Sequence, residues 1–292
     1  MKKNLNPLNS VGITSMLMGV LFLTFASCSK EESSSEDLSS TEVISATELK
    51  FSDETEMISE EITAIAEDIY AADEISTTSK ANYHSDYLPE CAIVTIELTD
   101  TTKNITLNFG EGCEMPNGNS VSGSVYLSYA LDMEAASNTI TLNLEDFVFN
   151  GVAVEGSASI VRVRSNENGN PQGMSEANFT STWPDGNTTS YTGTRTREWI
   201  EGFGTGFWGD NVFLVTGKRT YVSRAGNEFV KEVITPLRRE MSCRFIVTGV
   251  LEISRFGNTV SLDFGDGSCD AKGTLTYGDG TEQEIFLRRF RN

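Results

Sequence analysis

Apolar and polar residues alternate along most of the chain after residue 90. In the segment 139–149, Ile140 and Leu142 share one face, and after residues 145–146 the parity changes so that Phe147 becomes an apolar position. Strict alternation is typical of a β-strand with one buried face, and a change of parity indicates an extra residue, a β-bulge. We therefore predict a strand over 139–149 with a bulge near residues 145–146.

Similar runs recur through the rest of the chain, separated by turn-forming residues such as Asn150-Gly151, a strong signal for a type I′ hairpin. No long helical pattern intervenes, so we expect hairpin connections and an antiparallel sheet. About 200 residues are enough to bury the core of one domain. We predict one all-β domain over 88–292, an antiparallel meander that forms a β-sandwich or a strongly curved sheet. Other predicted strands lie at 91–98, 104–109, 123–126, 152–164, 178–183, 188–200, 212–222, 228–234, 245–254, 259–264, 273–276 and 282–290.

One helical pattern precedes the strands. Four isoleucines follow one another at steps of three or four residues, the spacing of one helix face: Ile58, Ile62, Ile65 and Ile69. Asp53 and Glu56 are spaced as a capping box at the start of a helix. We predict one short N-terminal helix within 51–80, packed on the β-domain; the other hypothesis is an isolated helix that binds a partner.

The N-terminal residues have the three-part pattern of an export signal. Two lysines precede an apolar stretch over 11–26, which ends in small residues just before Cys28. This stretch is shorter than the roughly 20 apolar residues of a transmembrane helix. The sequence Phe-Ala-Ser-Cys at 25–28 resembles the lipobox of bacterial lipoproteins, whose cysteine is acylated and becomes the mature N-terminus. We therefore predict a lipoprotein signal peptide at 1–27 and lipidation of Cys28.

The net charge of -20 is concentrated in the segment that follows the lipobox. Residues 29–47 are rich in Ser and Glu and contain few large apolar side chains, which is typical of a disordered spacer. We predict an acidic disordered tether over 28–50. Because so negative a chain repels phosphate backbones, no nucleic-acid partner is expected.

Four cysteines lie beyond Cys28, and an even number in an oxidising compartment indicates disulfides. They form two pairs, and each pair is centred on the turn of a predicted hairpin. The second strands of both hairpins end in the same pattern, Phe-Gly-acid-Gly, which indicates an internal duplication. We predict the disulfides Cys91–Cys113 and Cys243–Cys269, within duplicated hairpin units at 91–129 and 243–277.

An aromatic and glycine-rich segment over 199–210 is the first candidate binding surface. It places four large aromatic side chains among four glycines: Trp199, Phe203, Phe207 and Trp208. On a loop, such side chains stack on sugar rings or anchor a protein partner. The alternative interpretation is that they plug one end of the β-domain, where they are part of the core.

Two pairs of arginines at strand spacing are a second candidate. Arg162 with Arg164, and Arg195 with Arg197, each project from a single face of a strand. Their positive charge is complementary to that of an anionic glycan. The alternative is cross-strand pairing with glutamates on a solvated face of the sheet.

Signals for catalysis or metal binding are sparse. His84 is the only histidine, no nucleophile motif is present, and we nominate no catalytic residue and no cofactor. Asp263, Asp266 and Asp270 lie on a Gly-rich turn, where carboxylates suit a calcium ion; a purely structural turn beside a disulfide is the alternative. An enzyme built on a carboxylate pair, such as a glycoside hydrolase, is the remaining catalytic hypothesis.

Taken together, the lipobox, the acidic tether and the repeated Phe-Gly-acid-Gly-Cys hairpin resemble the β-rich surface lipoproteins of the Bacteroidota. The resemblance implies a lipid anchor in the outer membrane, with the β-domain facing the exterior. We expect a non-enzymatic domain that binds a glycan or an envelope protein. The alternatives are a structural or assembly component of the outer membrane and a carboxylate-based glycoside hydrolase.

Overall fold

The computed structural model describes residues 44–79 and 86–287, with helix side chains described up to residue 77. All of these residues belong to one compact unit, which spans Ser39–Asn292. The predicted signal peptide at 1–27, the lipidation site Cys28, most of the predicted tether and His84 lie outside the described residues.

In the part of the chain that the structure describes, fourteen strands form a single antiparallel sheet in which the strands lie almost in chain order. This confirms the all-β antiparallel meander preceded by one helix. The short strand β3 pairs only with β4 and stands off the main path. The strands are β1 Ile93–Leu98, β2 Thr102–Asn108, β3 Cys113–Glu114, β4 Ser120–Ala130, β5 Ser137–Phe149, β6 Val152–Val163, β7 Gln172–Thr182, β8 Thr188–Glu201, β9 Val212–Val222, β10 Glu228–Glu240, β11 Ile246–Arg255, β12 Asn258–Asp266, β13 Lys272–Tyr277 and β14 Glu282–Phe286.

The helix α1 spans Ala46–Ser79, a length of 34 residues. The predicted start at residue 51 was wrong, and residues 46–50 of the predicted tether are helical. Ser45 caps the helix, because its Oγ accepts a hydrogen bond from the Glu48 amide at 3.2 Å. Ser45 and Glu48 have the capping-box spacing themselves, whereas Asp53 lies inside the helix and is buried.

The sheet curls around α1. Residues 52–67 of the helix are all buried, on every face. Side chains of α1 also pair with side chains on strands as far apart as β2 and β10. A flat sheet can cover only one face of a helix, so the sheet must bend to reach all of them. Within the described residues, no helix is long and apolar enough to cross a membrane.

The predicted hairpin and bulge are both present. Asn150 and Gly151 have φ angles of 48° and 81°, the left-handed pair of a type I′ turn. The pairing of β5 with β6 shifts between Asn143 and Phe147, which confirms the bulge predicted near residues 145–146. Gly123 faces it on β4, where a Cβ atom would lie 2.2 Å from the carbonyl oxygen of Asp146.

Several strands differ in length from the prediction, and β7 begins at Gln172 rather than at residue 178. β10 continues to Glu240, beyond the predicted end at residue 234. Its pairing with β11 shifts register on both sides of Thr235, beside Pro236, and a proline is tolerated in a strand at such an irregularity. Residues 288–290, the end of the last predicted strand, lie outside the described residues.

Both predicted disulfides are confirmed, with Cα–Cα separations of 5.9 Å for Cys91–Cys113 and 5.7 Å for Cys243–Cys269. Each bridge joins a residue just before a hairpin to a residue just after it. The first hairpin is β1–β2 and continues into β4, and the second is β11–β12 and continues into β13. The first copy differs by the insertion of β3.

Candidate functional site

The interior of the curled sheet is strongly charged, which the sequence analysis missed. Glu56 on α1 lies at its centre and contacts three cationic side chains from three neighbouring strands. Its carboxylate lies 3.5 Å from Arg195 and 2.6 Å from Lys231, and it also pairs with Arg219. Arg219 and Lys231 are directly paired across β9 and β10, so both reach the same level of the helix.

Further ion pairs follow α1 from Glu56 towards its C-terminus. The acidic partners Glu60, Glu67 and Glu74 are spaced seven residues apart, which places them on one side of α1. The pairs are Glu60–Arg239 at 3.2 Å, Glu61–Arg239 at 3.6 Å, Glu67–Arg197 at 2.7 Å, Glu74–Arg162 at 3.1 Å and Glu74–Arg164 at 3.3 Å.

These contacts correct the interpretation of the arginine pairs. Each pair does project from one strand face, but Arg162, Arg195 and Arg197 are only 1–3% exposed. The face is therefore the inner one, and the partners are glutamates of α1 rather than of a solvated surface. An external anionic glycan has no access to these three guanidinium groups.

Two cavities lie beside these ion pairs, and both are small. One cavity lies beside Glu56 and Lys231 and has a volume of about 10 Å³. Another lies between Glu67, Trp199 and Trp208 and has a volume of about 20 Å³. Each is close to the size of a single water molecule. These two cavities have no room for a sugar ring.

The four predicted binding aromatics do not form one exposed surface. Trp199 is 3% exposed, and its Nε1 donates a hydrogen bond to the Asn211 Oδ1 atom at 3.2 Å. Trp208 is partly buried and packs edge-on against Tyr87, with ring centroids 6.3 Å apart. Trp199 therefore belongs to the core, as the alternative interpretation predicted.

Phe203 and Phe207 are the exposed members of that segment, at 37% and 58%. The chain next to Phe207 is held in place, because the Trp208 amide donates a hydrogen bond to the Asp86 carboxylate at 2.7 Å. A ligand role of these two phenylalanines stays a prediction.

The predicted calcium ligands do not converge. Asp263, Asp266 and Asp270 each accept a hydrogen bond from an amide two residues further on, at 2.9, 3.1 and 2.9 Å. The hydrogen bonds from Ser268 lower the pKa of Asp266. No group of three metal-ligating side chains occurs within residues 44–79 and 86–287. The three aspartates therefore stabilise their own turns.

The edge strand β1 is the most unusual surface of the described chain. Among the described strands it pairs only with β2, and all six of its residues are exposed. Four of them are large and apolar: Ile93 at 66%, Val94 at 46%, Ile96 at 51% and Leu98 at 67%. In the central strands, by contrast, inward apolar positions such as Ile160 on β6 are fully buried.

The hydrogen-bond pattern shows which backbone groups of β1 are open. The Thr99 amide donates to the Thr102 carbonyl at 2.9 Å, which fixes the phase of the ladder between β1 and β2. Bonded and non-bonded pairs alternate in an antiparallel ladder. The amides and carbonyls of Val94, Ile96 and Leu98 therefore point away from β2.

A groove of about 460 Å³ lies between β1 and the C-terminal half of α1. We call it the β1 groove. Its walls are mostly apolar, with three carboxylates and one ammonium group. It is lined by Asp68, Ile69, Ala72, Asp73, Leu88, Pro89, Glu90, Ala92, Val94, Ile96, Lys103 and Ile105.

One carboxylate of the β1 groove is held by the sheet. Asp73 Oδ2 lies 2.6 Å from Lys103 Nζ and accepts a hydrogen bond from the Tyr129 hydroxyl, also at 2.6 Å. Burial raises the pKa of Tyr129, and the hydrogen bond to Asp73 raises it further. The phenol therefore stays a donor at neutral pH, and Lys103 is already committed to Asp73.

The sequence analysis identified β1 as a strand but not as a surface. The sequence does show that β1 has apolar residues at both odd and even positions, because Ile93 and Val94 are adjacent and Ile96 and Leu98 follow. Such a strand is apolar on both faces, which is ordinary in the middle of a buried sheet. At the edge of a sheet it leaves apolar surface open.

Comparisons with protein-family models, with curated proteins and with solved structures found no match for this chain.

Proposed function

We propose that this chain is a lipid-anchored protein of the cell envelope, attached to the outer membrane through Cys28 and facing the exterior. Its β-domain binds a protein partner, which adds a strand to the open edge of β1. The lipobox at 25–28 and the acidic tether support the location. The observation that carries the binding role is the exposure of all six residues of β1.

Edge strands of this kind are uncommon in isolated proteins. Natural sheets protect their edges with charges, prolines or covering loops, because open edges pair with other chains. β1 carries one charged residue, Glu97, and the groove beside it is uncovered by described residues. A partner that adds a strand would use the open backbone groups for affinity and the groove for specificity.

A protein partner fits this surface better than a glycan. The exposed side chains of β1 are aliphatic, whereas sugar recognition relies on aromatic stacking and on dense polar contacts. Aliphatic side chains instead bury well against those of another strand. Glycan binding is the second candidate function, because Phe203 and Phe207 are the exposed aromatic residues of the predicted segment.

The other two hypotheses relate to this proposal differently. A component of outer-membrane assembly is compatible with it, because the partner would then be another envelope protein. A glycoside hydrolase needs two carboxylates facing an open cleft. The glutamates clustered on α1 instead contact arginine and lysine inside the sheet, so the described geometry does not favour hydrolysis.

Anchoring is expected to depend on Cys28. The Cys28→Ala variant should lose labelling by radioactive or clickable palmitate and should leave the membrane fraction, because the thiol is the attachment point for the acyl chain. Ser29→Ala, the adjacent residue outside the lipobox, is the matched control and should keep both properties. Membrane retention and labelling of Cys28→Ala at the level of the unaltered chain would contradict the lipoprotein proposal.

Strand addition is tested by photo-crosslinking in cells. A photoreactive amino acid at Thr95, on the outer face of β1, is expected to give a discrete adduct with an envelope protein. The same amino acid at Thr192, exposed on the central strand β8, is the control and should not give it. Ile96→Pro removes an open amide without touching the ladder to β2, so this variant should abolish the adduct.

Ile96→Ala separates the two contributions of that residue. It removes the side chain but keeps the amide, so the adduct at Thr95 should weaken rather than vanish. Circular dichroism of Ile96→Pro should match that of the unaltered protein. An adduct of equal yield at Thr95 and Thr192, or one that is indifferent to Ile96→Pro, would refute strand addition at β1.

A further inference from the structure

We infer that the segment which adds to β1 carries lysine or arginine side chains that alternate with apolar ones. This inference rests on the proposed function and specifies the chemistry of the partner. Two observations support the inference. Several strands already contact α1 through a lysine or an arginine, and the β1 groove is lined by three carboxylates.

Some strands of the sheet already contact α1 through inward-facing cations. The strands β2, β6, β8, β9 and β10 carry lysine or arginine side chains that pair with carboxylates of α1. Examples are Lys103 of β2 with Asp73, Arg162 of β6 with Glu74, and Arg197 of β8 with Glu67. An inward-facing lysine or arginine is thus one way in which a strand of this sheet contacts the helix.

The strand β1 carries no inward-facing cation. The side chains of Val94 and Ile96 line the groove and carry no charge. The groove nevertheless contains the carboxylates of Asp68, Asp73 and Glu90, and its single ammonium group, Lys103, contacts Asp73. The lining is therefore acidic overall.

A strand added beyond β1 would place alternate side chains over this groove. Lysine and arginine are suited to the position, because their aliphatic stems cover apolar surface while their charged ends reach carboxylates. Glu90 is exposed at the mouth of the groove and is the carboxylate most open to such a contact. Apolar side chains at neighbouring positions would cover Ile69 and Leu88.

Two other occupants have the wrong charge. A second copy of this chain, pairing through its own β1, would bring Glu97 and no cation, and each copy carries a net charge of -20. The part of the predicted tether that precedes residue 44 is acidic and would be repelled by the same carboxylates. The residues 288–292 contain three arginines, so occupancy by this segment of the chain itself is tested directly below.

The test uses the mature full-length protein in detergent and two fluorescent ten-residue peptides, one alternating Val with Lys and the other alternating Val with Glu. Fluorescence anisotropy is expected to show at least ten-fold tighter binding of the Val-Lys peptide. Ile96→Pro should abolish this binding, because the added strand loses a backbone partner. Glu90→Lys should reduce the preference for the Val-Lys peptide at least five-fold.

The control addresses simple attraction between a basic peptide and an acidic protein. Glu176→Lys changes the net charge equally but lies exposed on β7, on the outer face of the sheet. It should alter the affinity for the Val-Lys peptide by less than two-fold. Equal effects of Glu90→Lys and Glu176→Lys would overturn the inference, since binding would then depend only on net charge.

Three further outcomes also overturn it, in distinguishable ways. Equal affinity for both peptides, lost in Ile96→Pro, would leave strand addition in place but refute the preference for cations. Absence of peptide binding together with an adduct at Thr95 would refute the inference and leave the proposed function standing. Binding that appears only after truncation behind Leu287 would show that the arginine-rich segment 288–292 of the chain occupies the groove, and would refute a partner as the source of the cations.

Discussion

Replacing Glu56 by alanine is expected to lower the free energy of unfolding by about 3–5 kcal/mol, the range observed when one partner of a buried ion pair is removed. The Glu56 carboxylate contacts Arg195, Arg219 and Lys231, and its side chain is only 9% exposed. The variant would leave three cations buried without this carboxylate. Urea unfolding with both disulfides intact measures the change.

Glu232→Ala is the matched control for this experiment. Glu232 lies 2.7 Å from Lys218, but the two side chains are 45% and 61% exposed. A pair in that environment contributes about 0–1 kcal/mol, because water and salt screen it. If Glu56→Ala and Glu232→Ala had similar effects below 1 kcal/mol, the buried ion pairs would not hold α1 in place.

Replacing Trp199 by alanine is expected to cost about 3–5 kcal/mol of stability, as for other buried large aromatic side chains. Its ring packs against Phe203 and Phe213 at centroid distances of 4.9 and 5.1 Å. The substitution also removes the indole donor to Asn211. The cavity and the lost hydrogen bond act in the same direction, and the midpoint of urea unfolding should fall accordingly.

Phe207→Ala is the comparison within the same segment. The Phe207 side chain is 58% exposed, so its removal should change the free energy of unfolding by less than about 1 kcal/mol. A small effect at Trp199 would mean that this residue is not part of the core. A large effect at Phe207 would mean that the loop is a structural plug rather than an available surface.

The ion pairs also bear on how α1 is positioned. An apolar stripe fixes which face of a helix is buried, but it allows the helix to slide or rotate by a turn at little cost. Carboxylates at 56, 60, 67 and 74 must each meet a cation of a particular strand, and a shifted helix would leave them buried without partners. We therefore expect these pairs to fix the register of α1 within the sheet.

Local patterns in the sequence determined the strands, several turns and the disulfides of this protein. The alternation of side chains has a period of two residues, and a type I′ turn depends on the pair Asn150-Gly151 alone. The bulge near 145–146 is marked by a shift of the apolar residues from even to odd positions. Each cysteine pair is placed symmetrically about the turn of its hairpin. All of these features depend on residues close together in the chain.

The predicted start of α1 was wrong because the sequence contains two competing capping patterns. Asp53 with Glu56 has the spacing of a capping box, and so does Ser45 with Glu48. The choice between them depended on tertiary packing, since Asp53 is buried and Glu56 pairs with three cations inside the curled sheet. A pattern of four residues contains no information about that interior.

The charged interior was decided by the tertiary structure alone. Parity places Arg162 on the same face as Ile160 and therefore inside, but a buried arginine is improbable unless a partner is known. That partner, Glu74, is 88 residues away in the sequence. The open edge of β1 was decided in the same way, because a strand becomes an edge only through the absence of a neighbour in space. Both features arise because the sheet curls around α1. The local alternation of apolar and polar residues does not encode that curvature.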